Sequence, residues 1–278
     1  FVKTELTRAE NKLGVLQEEL RQAESAEDYK IFGDNLMTYA HLYEDHANAT
    51  LTVDNIYSEA GEKITLKLDQ RLTLSQNMQA FYHKYDKLKR AQKLLDEQIA
   101  LCSENIRYLA SVESSLTASS TLPEIEEIKD ELMQSGFLKE GTKKKRQDKP
   151  SAPFRFVTED GKSILVGKNN YQNDRLTFHT AAPDDIWLHA KDIPGSHVIL
   201  RLSGEEPSEE SLHHAALLAA HFSKAQDSSN VPVDYTYRRY VKKPSGSRPG
   251  FVIFTHQKTL YVTPTTEETA KLLQREQR

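Results

Sequence analysis

The sequence holds a single cysteine, Cys102, so no disulfide can close within the chain, and a reducing compartment suits it. It lacks any apolar run near the roughly 18 residues that a membrane-spanning helix requires. No GxGxxG segment and no GxxxxGK followed by Ser or Thr occurs, which argues against a phosphate-cradling nucleotide site. His213, His214 and His221 lie near Asp227, but their spacing is not that of zinc ligands and no cysteine is close. Ser196 and His197 are chain neighbours with no orienting acid or oxyanion hole, so a hydrolytic triad is not supported. No metal, no other cofactor and no enzymatic activity are expected. The chain opens on Phe1 with a helical pattern already running, and it reads as a piece of a longer protein whose targeting segment, if any, lay upstream.

What is present divides in two. The net charge of −4 hides an asymmetry: about −9 over residues 1–140 and about +5 over 141–278. A basic half raises the odds of a polyanionic partner for that half. In the acidic half, Val2, Leu6, Ala9, Leu13, Leu16, Leu20 and Ala23 follow 4-3 spacing. So do Phe81, Tyr85, Leu88, Gln92, Leu95, Ile99, Cys102, Ile106, Leu109, Glu113 and Leu116. That alternation puts each set on one narrow seam with Glu, Lys, Gln, Arg and Ser elsewhere, the pattern of a coiled coil. The second helix is predicted to start near Ser75 and to run for about 44 residues, roughly 65 Å.

Between the seams, residues 28–48 read as one more helix, and LTVDNIYSEAGEKITLKL (51–68) alternates around Ala60-Gly61 as a hairpin does. The expectation is an antiparallel helical arm over residues 1–140 with a small α/β module (about 28–74) at its tip. Dimerisation through an unfilled seam remains open, because heptads fix neither partner nor direction. A short amphipathic helix follows, with Pro123 in its first turn and Ile125, Ile128 and Leu132 on one face. Residues 141–153, with Lys143, Lys144, Lys145 and Arg146 in a row, read as a basic linker, either a solvated connector or a strap that touches phosphates.

From residue 154 to 278 the period changes. FRFV, SILVG, DIWLHA, HVILRL, VPVDYTY, GFVIFTH and TLYV are short strand-like runs. Residues 208–226 read as a helix with Ser208 as N-cap and alanines at 215, 216, 219 and 220 that let a sheet approach; a last helix covers 266–276. No regular βαβ rhythm appears, so the fold class is α+β: a coiled-coil arm followed by a mixed globular domain.

Three segments of that domain concentrate polar and aromatic side chains. In DDIWLHAKDIPGSHVILRL (184–202), Trp187 shares a strand face with His189. Pro194-Gly195 signals a type II turn, and Lys191, Ser196, His197 and Arg201 surround it. The segment VGKNNYQND (166–174) packs Lys168, Asn169, Asn170, Gln172, Asn173 and Asp174 into a loop, with Arg175 next. RRYVKKPSGSRPG (238–250) sets Arg238, Arg239, Lys242, Lys243 and Arg248 around Tyr240. Stacking surface, hydrogen-bond donors and positive charge together suit contact with RNA backbone and sugar. The plain alternative is a buried tryptophan with hydrogen-bonded histidines and a solvated charge run.

The same segments, with HHAALLAAHFSKA and KTLYVTP, occur in the order seen in the RNA-binding domain of the NFACT family, over nearly all of 152–265. TLSQNMQAFYHKYDKLKRA (73–91) and LPEIEEIKDELMQSGFL (122–138) are similar to that family's coiled-coil and middle region. The resemblance implies a non-catalytic factor that binds large ribosomal subunits still carrying peptidyl-tRNA. It implies recruitment of alanyl-tRNA, so that the ribosome adds a C-terminal alanine tail. Expected partners are tRNA, rRNA and the large subunit, in the cytoplasm. Streptococcal relatives are also described as fibronectin-binding adhesins at the cell surface without a conventional signal. The family's N-terminal domain and helix-hairpin-helix region are expected upstream of Phe1, and without them alanine tailing is not expected. Its motifs map onto Lys168, Asn169, Asn170, Asn173, Asp174, Trp187, His189, Pro194, Gly195, Ser196, His197, Lys242, Lys243 and Pro244.

Overall fold

The computed structural model describes residues 1–44, 48–139 and 151–277. The lysine run of the expected linker, Lys143 to Arg146, lies outside them. The chain divides into two compact units, Thr7–Asn105 and Phe1–Leu6 with Ile106–Arg278.

The first unit holds most of helix α1 (Val2–Ala23), all of α2 (Ala26–Tyr39), strands β1 (Thr50–Asp54) and β2 (Lys63–Lys67), and the first two-thirds of α3 (Leu74–Ala118). Helices α1 and α3 run antiparallel. The Cys102 thiol donates to the Ala9 carbonyl at 3.2 Å and Gln92 Nε2 donates to the Ala23 carbonyl at 2.8 Å, so numbering rises along one helix as it falls along the other. Ala9, Leu13, Leu16, Leu20 and Ala23 are all withdrawn from solvent while most residues between them are exposed. The heptad seam is thus filled within the chain, and the polar Gln92 sits in it because it caps an end carbonyl of α1. At 45 residues α3 has close to its predicted length.

Helix α2 is shorter than the 28–48 read from sequence. A tighter turn, Ala40–Leu42, ends it, and Tyr43 swings to φ −125°, ψ 156°, which sends the chain toward the hairpin. Strands β1 and β2 pair antiparallel from Thr50↔Lys67 to Asp54↔Lys63. Their inward Val53 and Leu66 close a small core with Leu36, Leu68 and Leu74.

In the second unit, α4 (Leu122–Gln134) opens on a capping box between Thr121 and Glu124, with Pro123 in its first turn. Its buried residues are Glu124, Ile128, Glu131 and Leu132. Ile125, expected on that face, is 42% exposed, because the helix turns its glutamates inward. Ile128 and Leu132 pack with Val2, Leu6, Tyr108, Leu109 and Val112.

The remaining strands are β3 (Phe154–Val157), β4 (Ser163–Val166), β5 (Ile186–Ala190), β6 (Val198–Leu200), β7 (Val231–Tyr237), β8 (Val241–Lys242), β9 (Ile253–Phe254) and β10 (Lys258–Val262). The helices are α5 (Asn170–Arg175), α6 (Glu209–His221) and α7 (Glu267–Leu273). Six strands form an antiparallel sheet in the order β10-β7-β5-β6-β4-β3, while β8 and β9 pair separately. The fold is α+β, as the sequence led one to expect.

One face of the sheet, with Ile164, Val166, Ile186, Leu188, Val198, Leu200 and Val233, packs on α6 through Ala215, Ala216, Ala219 and Ala220, all at 0% exposure. The other face, with Trp187, Ile199 and Leu165, is covered by Leu176, Phe178, Val241, Val252 and Phe254. Coverage on both sides explains why β5 and β6 read as continuous apolar runs rather than alternating ones. Serine 208 caps α6 by accepting from the Ser211 backbone, as expected.

Pro194-Gly195 is not the turn it signalled. Gly195 has no positive φ; the left-handed residue is Asp192 (φ 54°), in a turn closed by Ile193 N–H to Ala190 carbonyl. Glycine is needed at 195 for proximity: a Cβ there would stand 2.8 Å from Ser223 Cβ, where the segment bridges to the end of α6. Because α6 meets the sheet through alanines, Ala219→Leu is expected to destabilise the protein by about 1–3 kcal/mol through overpacking. Urea denaturation followed by circular dichroism measures this, and an unchanged midpoint would contradict the packing described.

Candidate nucleic-acid interface

The segment from Lys168 to Asp174, read from sequence as a loop, folds from Asn170 onward as helix α5 and is dense in hydrogen bonds. Asn169 caps α5, its Oδ1 accepting from the Gln172 N–H at 2.9 Å. Its Nδ2 donates to Glu127 Oε2 at 2.8 Å, and Gln172 Nε2 donates to the same oxygen at 3.2 Å and to the Ser151 carbonyl at 3.0 Å. Asn170 Nδ2 donates to Glu131 Oε1 and to Ser111 Oγ, both at 2.9 Å. Lys168 Nζ pairs with Glu124 Oε1 at 2.7 Å and lies 4.3 Å from the Phe154 ring centre. Three carboxylates at i, i+3 and i+7 on α4 therefore take the loop's donors one by one.

Their electrostatics differ. Burial works against a charge on Glu124, but the Lys168 ammonium and the backbone N–H groups of Ser120 and Thr121 hold its carboxyl below the usual range. Glu131, at 1% exposure, is dominated by burial, which pushes its carboxyl up despite the Asn170 amide that donates to it. Its Oε2 has no partner among the described residues.

Asn173 and Asp174 face the other way. Asn173 Oδ1 accepts from the His197 backbone N–H at 3.0 Å. Asp174 accepts from the Gly250 N–H at 3.1 Å and from Lys243 Nζ. His197 is 2% exposed, with Nε2 3.1 Å from the Gly250 carbonyl and Nδ1 2.8 Å from Thr177 Oγ1. A carbonyl can only accept, so Nε2 carries the proton and Nδ1 accepts from the Thr177 hydroxyl. Burial, with His189 beside it, pushes the His197 imidazole down to about 3, which keeps it neutral. Trp187 is 1% exposed, stacked on half-buried His189 at 5.8 Å and edge-on to His197 at 5.2 Å. Burial lowers the His189 imidazole as well. Read from sequence as a stacking surface, Trp187 is instead a pillar of the covered sheet face.

The basic strip is divided in role. The Arg238 guanidinium donates to the carbonyls of Thr177 at 2.6 Å and Phe178 at 3.3 Å, holding a wide π-type turn, Leu176–Thr180. Arg248 lies over Tyr108 at 5.1 Å and Phe137 at 4.9 Å. Arg201 pairs with buried Asp185 at 2.8 Å. Among the candidate cations, Arg175, Lys191, Arg239, Lys242 and Lys243 are exposed; Arg239 pairs with Asp184, and Lys243 with Asp174. Lys191 follows the last residue of β5, whereas Arg239 lies near the first, its N–H on the Pro183 carbonyl. The strand between them separates the two by roughly 17 Å. Ser196 donates to the Gly167 carbonyl at 2.6 Å, and Pro194 receives the Lys224 N–H at 2.8 Å, so that segment holds the end of α6.

Two features escaped the sequence reading. The glutamates of α4 look like ordinary helix charges until one sees that Glu131 lies between Ile128 and Leu132 on the buried face. The ring pair Tyr240–His256, stacked at 4.3 Å, joins residues sixteen positions apart and has no local signal.

Residues 1–151 match the family model described as NFACT N-terminal and middle domains, and residues 152–255 match the one described as NFACT protein RNA binding domain. This chain belongs to the NFACT family. It is 41% identical over 275 residues to the Rqc2 homolog RqcH of Bacillus subtilis (strain 168), covering 98% of this chain and 48% of that protein. It is 43% identical over 268 residues to the Rqc2 homolog RqcH of Streptococcus suis (strain 05ZYH33), covering 96% and 48%. The chain thus spans about half the length of these relatives. The solved C-terminal part of the fibronectin/fibrinogen-binding protein of Streptococcus suis superposes with a TM-score of 0.75 at 38% identity, over 99% of this chain and 95% of that one. No described helix is long and apolar enough to cross a membrane.

Glu131 gives the NFACT loop contact a pH signature. Its folded-state carboxyl holds a proton above the ordinary glutamate value of 4.5, so the folded state binds more protons than the unfolded one in that window. Its contribution to stability is therefore greatest below 4.5 and is lost as pH rises through the folded-state value. Glu131→Gln is expected to remove that component. Unfolding free energies of wild type and variant across pH 4–8 test it, and parallel curves would refute the assignment.

Proposed function

We propose that this chain is the RNA- and ribosome-binding part of a ribosome quality control factor. It binds large subunits that carry peptidyl-tRNA and takes part in recruiting alanyl-tRNA for C-terminal alanine tailing, in the cytoplasm and without catalysing a reaction itself. The observation that carries the reading is the match of residues 152–255 to an RNA-binding domain, supported by two relatives above 40% identity along nearly the whole chain.

Burial and exposure support a division of roles among the candidate residues. Trp187, His197, Asn169, Asn170 and Asn173 are buried and hydrogen-bonded or packed, so they shape the surface from beneath. Arg175, Lys191, Arg239, Lys242 and Lys243 are exposed. Phosphate contact needs cations that water already reaches, because the favourable term is release of counterions from the nucleic acid. The coiled-coil arm would then contribute reach onto the subunit.

Binding of the chain to tRNA and to isolated large ribosomal subunits across a salt series tests this, with fibronectin in parallel. Steep salt dependence for RNA, with none for fibronectin, is expected. The triple variant Lys191→Ala, Lys242→Ala, Lys243→Ala should flatten the slope of log K against log salt by about 0.7–0.9 for each phosphate no longer neutralised. Saturable fibronectin binding in the absence of RNA affinity would overturn this reading in favour of the fibronectin binding named for the streptococcal neighbour.

A further inference from the structure

Strand β7 ends at Tyr237 and runs into a single tight turn, Arg238–Tyr240, before β8. Three aromatic rings and one guanidinium collect at that corner. The Arg239 guanidinium lies 4.4 Å from the Tyr237 ring centre and 5.3 Å from that of Tyr240. On Tyr240 the His256 imidazole stacks, with centres 4.3 Å apart and planes 25° from parallel. Arg239 and His256 are exposed, and Tyr237 and Tyr240 are half-exposed. Among the described residues, Tyr240 is the only ring that His256 touches.

His256 is also held in an uncommon conformation. Its φ is 57°, a left-handed value that few residues other than glycine adopt. The residue before it is fixed at both backbone polar groups: Thr255 N–H donates to the Tyr240 carbonyl at 3.3 Å, and the Thr255 carbonyl accepts from Thr236 Oγ1 at 2.9 Å. The connection from β9 to β10 is thereby clamped to β7 and to the tight turn while it presents an imidazole outward. A backbone held off its ordinary minimum by surrounding bonds is a common mark of a working site. The exposed Lys242 and Lys258 lie two residues beyond Tyr240 and His256 respectively.

We propose that Tyr240 and His256, braced by Arg239 and Tyr237, form a stacking platform for an unpaired base of RNA. This rests on the RNA-binding reading and adds to it where a nucleobase, as opposed to a phosphate, is received. Aromatic faces stack on every base, so the platform recognises single-stranded character and not sequence. The buried Trp187 cluster cannot serve this purpose, since its rings are covered by Phe254 and Val241. Arg239 gives the tyrosine faces a cationic partner that also attracts the strand.

The test uses the full chain and a short oligoadenylate carrying a fluorescent adenine analogue, with a blunt RNA duplex as the comparison. Stacking quenches the analogue, so wild type is expected to quench it on binding. His256→Asn removes the ring and tolerates the left-handed backbone; Tyr240→Leu removes the other ring, and Tyr240→Phe restores it. His256→Asn and Tyr240→Leu should each weaken oligoadenylate binding about tenfold and abolish quenching, with the salt slope and duplex affinity unchanged. Tyr240→Phe should bind as wild type does. Salt-dependent RNA binding by wild type with no quenching, or full affinity in both ring-removing variants, would overturn the platform and leave the RNA-binding reading standing. Absence of any RNA binding by wild type would overturn both.

Discussion

Three carboxylates on one face of α4 meet the donors of one loop, and the arrangement of the second unit follows from that contact. Glu124 takes the Lys168 ammonium, Glu127 the amides of Asn169 and Gln172, and Glu131 the amide of Asn170. Burying a carboxylate is expensive unless donors surround it, and removing one partner from such a pair costs more than the pair contributes on balance. The loop and the helix are therefore bound to each other's geometry. Ser111 of α3 shares the Asn170 amide, which ties the end of the long helix into the same network.

That network continues into the sheet without interruption. From Asn169 and Asn170 the loop turns to Asn173 and Asp174, whose side chains hold the His197 and Gly250 backbones. Glycine is required at two of these points: a Cβ on Gly167 would collide with the Asn173 side chain, and one on Gly250 with that of Asn170. Gly250 also sits at φ 77°, open to glycine at little cost. His197 then donates back to the Gly250 carbonyl, and the imidazole stays neutral because it is buried and already bonded at both nitrogens. The polar residues that look most chemical in the sequence are, in this chain of contacts, the internal frame of the domain.

The difference between what the sequence disclosed and what it withheld has a physical basis. Periodic features were legible: both heptad seams, the hairpin, the main strands and the start of the Ser208-capped helix depend on local spacing and stand where the pattern put them, although that helix ends at His221 and not at 226. Features decided by tertiary contact were not. Asn169 and Asn170 carry the same amides whether they face RNA or Glu127 and Glu131, and nothing near them in the chain distinguishes the two. Pro194-Gly195 carries a turn signal, yet the glycine answers to the proximity of Ser223. Trp187 beside His189 suggests a stacking surface, but its alternation partner Ile199 on β6 lies in the same covered layer.

Counting cations along the chain overstates the electrostatic surface for the same reason. In the basic strip, Arg238 satisfies two carbonyls and Arg248 lies over a stacked pair of rings, so their guanidinium groups are engaged within the fold. Arg239 and Lys243 each face an aspartate; the Arg239–Asp184 pair is exposed and weak enough for a phosphate to displace the carboxylate, whereas Asp174 opposite Lys243 is largely covered and also holds the Gly250 N–H. Displacement matters for a protein whose total charge is −4. Under the proposed RNA-binding function, a polyanion would be held where carboxylates can be exchanged for phosphates and where rings can receive bases, and both conditions meet at the corner formed by Tyr237, Arg239, Tyr240 and His256. Binding built that way would be indifferent to sequence, because every base offers a face for stacking and every nucleotide a phosphate.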